Sequence, residues 1–525
     1  MENWPAVRTE ELICRRHSDR YKSLCSRIFG RETIIIVVVI SAFTLFSLHR
    51  LYIEALENLN TPYDLLIESH NLATIKAIQS KEPIYDEGFY GDLPFIITIY
   101  NPLFHWITAS LPQDKANPFF TGRLISLIAT ALTLFLLFFP GYSKNRPELL
   151  FASFLCMGWI LLIPTFFVGT VYLHPDMLGL FFSGIAIVVV ANPTTLLKII
   201  LSSLFGLLAF ATKQNFICAM ASSFLFLCFV NFRKAILFAS VSVALFVAFF
   251  ILAQKAWGDG YWFSAFISVS KHPKFFDLAL NRLWKLLKEP LFSLLVVCDI
   301  ASITHIAWKH KRLFHESPYP IYLGLTAIVP LFALGKIGGE ESYYLEFMFA
   351  SLLWLVFSLR TLYREFSRKL ILPFFLVFLI IIGLQLNVAK PHEYFLTKVP
   401  LNEYFHSKVP EKFGKDIADI RPRNKNFLFL NTHVMLPFSE RILFNDPYNY
   451  WLMWNFGILD PEPMIKAINN KYFSLIIYRG EHDPCHIPAM HPIPTGPAFS
   501  QINKAIQANY RLRKVGIFSY YIPIE

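Results

Sequence analysis

Charged side chains are scarce in this sequence. Asp, Glu, Lys and Arg together make up 16% of its 525 residues, whereas a soluble globular domain carries roughly 25%. Hydrophobic residues make up 55%, Phe alone occurs 53 times, and the mean hydropathy is +0.45. Because so few charges cannot cover a water-facing surface along the whole chain, the composition excludes an ordinary soluble protein and indicates one built mainly for lipid.

Cysteines are also few, and they lack the spacing of a metal site. Four of the seven lie inside apolar runs (Cys156, Cys218, Cys228 and Cys298), which is typical of buried structural thiols. Only Cys485 follows residue 388, so an internal disulfide is excluded in that part of the chain.

Acidic residues are outnumbered, and the formal net charge is +11. The excess Lys and Arg lie between apolar runs and not along a soluble face. They therefore indicate membrane topology, and no nucleic-acid partner is predicted.

Long apolar runs are what the sequence has instead. A helix that crosses a bilayer needs about 20 mostly apolar residues. We place such runs at 33–53, 119–140, 148–170, 176–193, 197–212, 214–232, 235–255, 291–308, 318–335, 342–359 and 369–388. The sequence therefore predicts a polytopic α-helical membrane protein with about eleven transmembrane helices between residues 33 and 388.

The distribution of Lys and Arg orients these helices. Seven basic residues fall in the tail 1–32, and each connection predicted on the same side of the membrane is basic. The basic residues of those connections are Lys144, Arg146, Lys198, Arg233, Lys234, Lys309, Lys311, Arg312, Arg360, Arg364, Arg368 and Lys369. Since cytoplasmic loops carry the excess of Lys and Arg, the N-terminus is predicted in the cytoplasm, and an odd number of spans places residues 389–525 outside.

Two of the segments predicted outside are long. The first, 56–118, contains a helix-like stretch, Asp64–Ser80, and an apolar piece, Tyr100–Leu111, that is too short to span and is predicted to be interfacial or re-entrant. The second, 257–290, contains Lys274–Lys288, whose apolar residues recur at helical spacing opposite cations. This piece is predicted to lie flat in the membrane interface.

The composition changes after residue 388. Strand-like runs at Phe427–Leu430, Phe473–Tyr478 and Val515–Pro523 alternate with helix-like segments such as Pro463–Asn469 and Gln501–Asn509. Residues 389–525 are therefore predicted to form a small extracytoplasmic α/β domain. Near its end His482, Asp483, Cys485, His486 and His491 cluster, and a polar loop is favoured there over a metal site.

Charged and polar residues gather at the predicted outer ends of the helices, where charge is costly and therefore informative. They are Asp64, Glu68, His174, Asp176, Lys213, Gln214, Lys336, Glu340 and Glu341. Six of them have a structural alternative: Asp64 as a helix cap, Glu68 on a solvated loop face, Asp176 at a helix N-terminus, Lys213 snorkelling to the interface, Glu340 and Glu341 as loop charges.

Carboxylates beside one or two cations at membrane depth suit a lipid-linked phosphate substrate. A cation neutralises the phosphate, and a carboxylate acts as general base toward an acceptor hydroxyl. An ion or solute transporter also places charges within the membrane, so this pattern leaves both classes open.

Several phrases, in order along the chain, resemble those of a known group. They are Glu68 with Lys81–Tyr85 (KEPIY), Tyr100–Trp106 (YNPLFHW), Arg123, His174–Leu178 (HPDML), Thr212–Gln214 (TKQ), Gly338–Glu346 (GGEESYYLE) and Asn445–Pro447 (NDP). The sequence resembles bacterial membrane glycosyltransferases of the GT-C fold, a family-39-like group related to protein O-mannosyltransferases and lipid A aminoarabinose transferases. It departs from that pattern in the four-residue spacing of Asp64 and Glu68, in His174 where Arg is usual, and in Ser342 where Asn is common.

The resemblance implies an inner-membrane enzyme that moves a sugar from a polyprenyl-phosphate donor to a cell-envelope glycolipid, lipid-linked glycan or protein, with inversion. It implies Glu68, or else Asp64, as the general base. It implies that the donor or acceptor is contacted by Lys213, Gln214, His174, Asp176, Arg123, Tyr100, Lys336, Glu340, Glu341 and Tyr343. Arg123 has the alternative of anchoring its span, and some relatives use a divalent metal.

Two other classes remain open from the residues. A transporter or flippase of lipid-linked or small solutes needs broken helices in corresponding halves and charges near the midplane, whereas the charges here lie mostly at one end. A catalytically inactive scaffold is the second rival, and the presence of Glu68 and Lys213 weighs against it.

Overall fold

A computed structural model describes residues 31–62, 68–141, 148–192, 195–309, 313–336, 341–362, 408–420, 422, 424, 426–430, 443–479, 496–514 and 518–525. Four sequence predictions concern residues outside this set: Asp64, Glu340, the span 369–388 and the cluster from His482 to His491. The side chain of Glu341 is likewise not described.

The first half of the described chain is helical. Its helices are α1 (Arg31–Asn60), α2 (Ser69–Gln79), α3 (Glu87–Tyr90), α4 (Leu103–Ser110), α5 (Phe120–Leu136), α6 (Phe138–Gly141), α7 (Glu148–Leu162), α8 (Pro164–Thr170), α9 (Asp176–Val190), α10 (Leu196–Thr212), α11 (Cys218–Val230) and α12 (Phe232–Trp262).

Helices continue to residue 362 and alternate with strands after residue 408. They are α13 (Ser268–Ser270), after a π-helical turn at Phe263–Ile267, then α14 (Phe276–Leu287), α15 (Pro290–Lys309), α16 (Leu313–Glu316), α17 (Tyr319–Leu334) and, after a 3₁₀ turn at Glu341–Tyr344, α18 (Leu345–Leu362). Next come α19 (Lys408–Ile420), β1 (Phe427–Phe429), α20 (Pro447–Asn455), α21 (Glu462–Asn469), β2 (Leu475–Arg479), α22 (Pro497–Asn509), β3 (Tyr510–Lys514) and β4 (Phe518–Pro523).

Apolar helices occur at ten of the eleven predicted spans. Within the described residues five helical stretches are long and apolar enough to cross a membrane: Val38–Asn60, Phe120–Pro140, Phe232–Ser270, Pro290–Trp308 and Ser342–Leu359. Five shorter apolar helices lie at Ala152–Leu162, Asp176–Val190, Leu196–Thr212, Cys218–Val230 and Tyr319–Leu334. The protein is therefore a polytopic helical one, and the total of eleven spans stays a prediction.

One predicted span has the wrong limits. The run 148–170 is not one helix, because Pro164 lacks an N–H for a continuing helix and instead begins α8. The run 235–255 lies within α12, whose helical backbone is interrupted at Gly258, where φ is +60°. Helix resumes after Gly258 and continues through the π-helical turn to Ser270, so the first part of the predicted second outside segment, 257–290, is helical.

The strands after residue 408 form one four-stranded sheet in the order β1-β2-β4-β3. β1 pairs with β2 in parallel, whereas the β2–β4 and β3–β4 pairs are antiparallel. β1, β2 and β4 lie at the three predicted strand-like runs, whereas β3 is not predicted. A separate domain outside the membrane stays a prediction.

Both faces of this sheet are buried against the connection between α1 and α5. Leu428 and Ile476 share one apolar cluster with Tyr90, Phe95 and other residues of that connection. The alternate positions Phe427, Phe429, Leu475 and Ile477 face a second cluster, which includes Ile84 and Phe89 of the same connection. The sheet and the first predicted outside segment thus share a core.

Candidate functional site

A buried ion pair marks one end of the helix bundle, the end that the charge pattern places outside. Asp176 is the first residue of α9, where the helix dipole favours an acid, and Lys213 follows the last residue of α10 in an extended conformation. Lys213 Nζ donates to Asp176 Oδ1 at 2.6 Å, and both side chains are less than a tenth exposed. Lys213 therefore does not snorkel to the interface, and the TKQ and HPDML phrases meet in space.

His174 completes this group on the other side of the carboxylate. Its Nδ1 lies 3.0 Å from Asp176 Oδ2, and its side chain remains 16% exposed. Asp176 thus contacts a lysine and a histidine through its two oxygens. The substitution of His for Arg, which the resemblance leaves open, produces a hydrogen-bonded His–Asp pair here.

Aromatic rings surround the ion pair. The ring of Tyr100 is 4.9 Å and that of Tyr343 is 5.7 Å from Lys213 Nζ, both within the range of a cation–π contact. His70, near the start of α2, contacts the rings of Tyr100 and His174 at centroid distances of 5.7 and 5.8 Å. Sequence reasoning did not single out His70, although it follows Glu68 directly in the polar run ESHN.

A second, nearly buried lysine lies at the same end of the bundle. Lys336 follows α17 and is only 9% exposed, and its ammonium has no hydrogen-bond or ion-pair partner among the described residues. Burial, together with the positive charges of Lys213 and Lys274, lowers the pKa of Lys336 to about 7. Asp176 neutralises Lys213, whereas Lys336 and the exposed Lys274 form no ion pair with an acid among the described residues.

The position of Lys274 depends on how α14 docks onto the end of α17. Lys274 and Lys336 form a backbone β-bridge, and Phe275 N donates to Gly335 O at 2.7 Å. Arg282 of α14 donates to the carbonyls of Leu334 and Lys336 at 2.5 and 2.8 Å, which satisfies orphan carbonyls at that helix end. Gly335 permits this approach, because a Cβ there would lie 2.7 Å from Phe275 O.

Glu68 lies in a different environment from the one expected of it. It is the residue that precedes α2 and not part of the helix, and it is fully buried. Arg123 donates to both of its carboxylate oxygens, with Nε at 2.9 Å from Oε1, and Leu173 N donates to Oε1 at 2.6 Å. Glu68 therefore forms a fully buried ion pair with Arg123.

Arg123 uses its remaining donors on the backbone of the first segment. Its Nη1 donates to the carbonyls of Asn58 and Thr61, each at 2.6 Å, and the residue has no exposed surface. Of the two roles that the sequence allows, anchoring of the span fits this geometry and contact with a lipid phosphate does not.

Gln214 also makes structural contacts. Its Nε2 donates to the carbonyls of Ile99 and Ala265, each at 2.9 Å. It thereby ties the segment that carries Tyr100 to the extension of α12. Behind it, Asn71 joins Leu173 O at 2.9 Å and His105 Nε2 at 2.9 Å, and burial lowers the pKa of His105 to about 3, so its ring stays neutral.

The site therefore brings together His174, Asp176, Lys213, Tyr100, Tyr343 and Lys336 from the predicted set. Glu68, Arg123 and Gln214 lie beside it in structural contacts, and Asp64, Glu340 and the Glu341 side chain lie outside what is described. Within the described residues no group of three or more His, Cys, Asp or Glu side chains is arranged to hold a metal ion.

The fold has counterparts among solved structures, although no family model and no curated protein sequence matches the chain. ArnT from Cupriavidus metallidurans, bound to undecaprenyl phosphate, superposes with a TM-score of 0.57 at 11% identity over 94% of this chain and 98% of its own. The archaeal oligosaccharyltransferase AglB from Archaeoglobus fulgidus, in complex with an inhibitory peptide and a dolichol-phosphate, superposes with a TM-score of 0.50 at 12% identity. The match covers 90% of this chain and 74% of AglB. The chain therefore has the GT-C fold.

Proposed function

We propose that this protein is a membrane glycosyltransferase that takes a sugar from a polyprenyl-phosphate donor and transfers it, with inversion, to a cell-envelope acceptor on the outer face of the bacterial inner membrane. The observation that carries the proposal is Lys336, which is nearly buried beside Lys274 at the end of the bundle that holds the candidate site and contacts no acid among the described residues. A buried lysine of this kind suits an anionic ligand, because the ligand stabilises its charged form. Of the solved structures with this fold, ArnT has undecaprenyl phosphate bound and AglB has a dolichol-phosphate bound.

In this proposal the donor phosphate lies between Lys336, Lys274 and Lys213. The leaving phosphate gains negative charge as the sugar departs, so lysines placed beside it stabilise the transition state more than the bound donor. Tyr100, Tyr343 and the segment of Glu340 and Glu341 border the sugar or acceptor. Asp64 and Glu68 remain the carboxylates that the resemblance implies as bases, with the geometry of Glu68 favouring a positioning role.

The amphipathic helix α14 supports a lipid-borne substrate. Phe276, Leu280 and Trp284 recur every four residues and are 75%, 48% and 60% exposed, whereas Ala279, Arg282 and Leu286 pack inward. A helix with one exposed apolar stripe and cations beside it suits the lipid–water interface. Lys274 at its start would meet a phosphate headgroup at the same depth.

The test is transfer of label by purified protein in detergent from undecaprenyl-phosphate-linked mannose, glucose and aminoarabinose. We expect label to be released to water or transferred to lipid and protein in a membrane extract, and to fall with Lys336→Gln. The same donors enclosed in proteoliposomes separate the rival class. Movement of intact donor across the bilayer without cleavage would support a flippase and contradict the proposal.

A further inference from the structure

His174 has the geometry of an oriented base. Its Nδ1 contacts Asp176 Oδ2 at 3.0 Å, and Asp176 Oδ1 accepts from Lys213 Nζ at 2.6 Å. An ion-paired carboxylate has only acceptors to offer, so the Nδ1 of a neutral His174 must carry the proton. Nε2 is then the unprotonated nitrogen, and it makes no hydrogen bond to the described residues.

The described residues around the His174 ring hold the imidazole in place. Asp176 lies on the same segment as His174, and Lys213 pairs with the other carboxylate oxygen of Asp176. His70 meets the ring edge-on from α2, and Tyr100 lies 6.4 Å away, centroid to centroid, on the adjoining segment. His105 lies behind this group and stays neutral, as described above. The backbone is fixed too, since Ser126 Oγ donates to His174 O at 3.1 Å.

We propose that His174, oriented by Asp176, is the general base that receives the proton of the acceptor hydroxyl. This inference rests on the glycosyl transfer proposed above and adds the residue that carries out its proton step. The arrangement follows the general logic of an acid that fixes the tautomer of a histidine, which leaves the second nitrogen to act as base.

The step balances as a single displacement. The acceptor oxygen forms a bond to the anomeric carbon while its proton moves to His174 Nε2. The bond from that carbon to the phosphate oxygen breaks, and its electron pair leaves with polyprenyl phosphate, which gains one negative charge next to Lys336 and Lys274. His174, now cationic between Asp176 and the leaving phosphate, returns the proton to water or to that phosphate.

Glu68 is a poorer candidate for the same step. A base needs a lone pair directed at the substrate, but three donors from Arg123 and Leu173 occupy its two oxygens, and no part of the residue is exposed. His174 keeps 16% of its side chain exposed and has a nitrogen lone pair available.

The experiment measures label transfer for wild type, His174→Gln and His174→Asn, with undecaprenyl phosphate binding as the check on folding and on the donor site. Loss of a general base costs about 10²- to 10⁴-fold in rate, so we expect that fall with binding within about twofold.

Two further measurements separate a base from a structural contact. Added imidazole should restore part of the rate to His174→Ala, whose cavity admits the ring. His315→Gln is the matched control, because His315 is exposed on α16 with its ring beside that of Phe229, and it should match wild type.

The outcomes are distinct. An active wild type with an equally active His174→Gln would overturn the inference and leave the glycosyl transfer standing. So would loss of undecaprenyl phosphate binding in the variants, since His174 would then be a donor ligand. A wild type that cleaves none of the donors would contradict the proposed function itself.

Discussion

The roles of Lys213 and Lys336 depend on whether a nearby acid neutralises each lysine. Lys213 and Lys336 both lie nearly buried at the same end of the bundle, and among the described residues Lys213 has an acid, Asp176, within hydrogen-bond distance whereas Lys336 has none. The local sequence does not reveal the pairing of Lys213, because Asp176 is 37 residues away from it along the chain. The charge left for a ligand is therefore assigned by tertiary contacts.

Ligand binding should change the protonation of Lys336. Its pKa is lowered to about 7 in the free site, and a bound phosphate raises it. Between pH 7 and 9 binding must therefore take up a proton, and affinity for undecaprenyl phosphate should fall as the pH rises above 7. Calorimetry at pH 8 in two buffers of different ionisation enthalpy measures this uptake. Lys336→Met should abolish it, and equal uptake in that variant would contradict the assignment.

The two first-loop carboxylates should respond differently to neutralisation. Removal of one partner of a buried ion pair costs about 3–5 kcal/mol, so Glu68→Gln should lower the stability of the protein by an amount of that order and leave Arg123 without its carboxylate. Thermal unfolding in detergent measures the loss. Asp64→Asn, measured in the same transfer assay, tests whether the other carboxylate is the base. An equally stable Glu68→Gln that has lost only transfer would show that Glu68 is the base after all.

At the scale of elements, the segment 95–101 holds Tyr100 in place through contacts at almost every residue. Asn445 pairs with Ile97 through both its amide groups, at 3.1 and 2.9 Å, and Phe95 pairs with the backbone around Phe444. Tyr85 donates to Tyr100 O at 2.7 Å, and Asn101 donates to Phe210 O at 2.6 Å. The NDP phrase near the C-terminus thus acts as a structural link to the site, with Asp446 capping α20.

Loss of this link should disturb donor handling at a distance. Asn445→Ala removes two buried hydrogen bonds to Ile97, each worth about 0.5–1.5 kcal/mol, and should release the segment that carries Tyr100. We expect transfer to weaken mainly through a higher KM for the donor, with Asn445→Asp, which keeps one acceptor, intermediate. Steady-state kinetics measure the split. Wild-type KM in Asn445→Ala would contradict the link.

The sequence alone predicts the helices more accurately than the points where one helix ends and the next begins. Apolar runs indicate the helices because lipid leaves the backbone no other partner, and the spacing of Lys274–Lys288 predicts α14 correctly. The break at Pro164 and the continuation past residue 255 are missed, since apolar composition does not report where one helix ends and the next begins. The pairings of Glu68 with Arg123 and of Arg282 with the end of α17 join residues more than 50 positions apart, and no local pattern contains them.

At the scale of the whole molecule, the C-terminal part and the membrane part share apolar clusters. Tyr90 and Phe95 pack with Trp451 and Trp454 in one of them, and Tyr450 donates to Tyr90 O at 2.9 Å. Deletion of residues 408–525 should therefore expose aromatic surface on the first outside segment and give protein that aggregates. Size-exclusion chromatography of the shortened chain in detergent tests this. A monodisperse product that binds undecaprenyl phosphate normally would show that the two parts are independent.

The most direct test of the account is binding of undecaprenyl phosphate to the purified full chain. Lys336→Gln removes the buried ammonium, whereas Lys115→Gln removes an exposed lysine of the first outside segment and serves as the control. A charge-assisted contact is worth about 1.5–3 kcal/mol, so we predict saturable binding that weakens about 10- to 100-fold in Lys336→Gln alone, and no binding of undecaprenol. Equal affinity in wild type and Lys336→Gln, or equal binding of undecaprenol, would contradict a phosphate site at this end of the bundle.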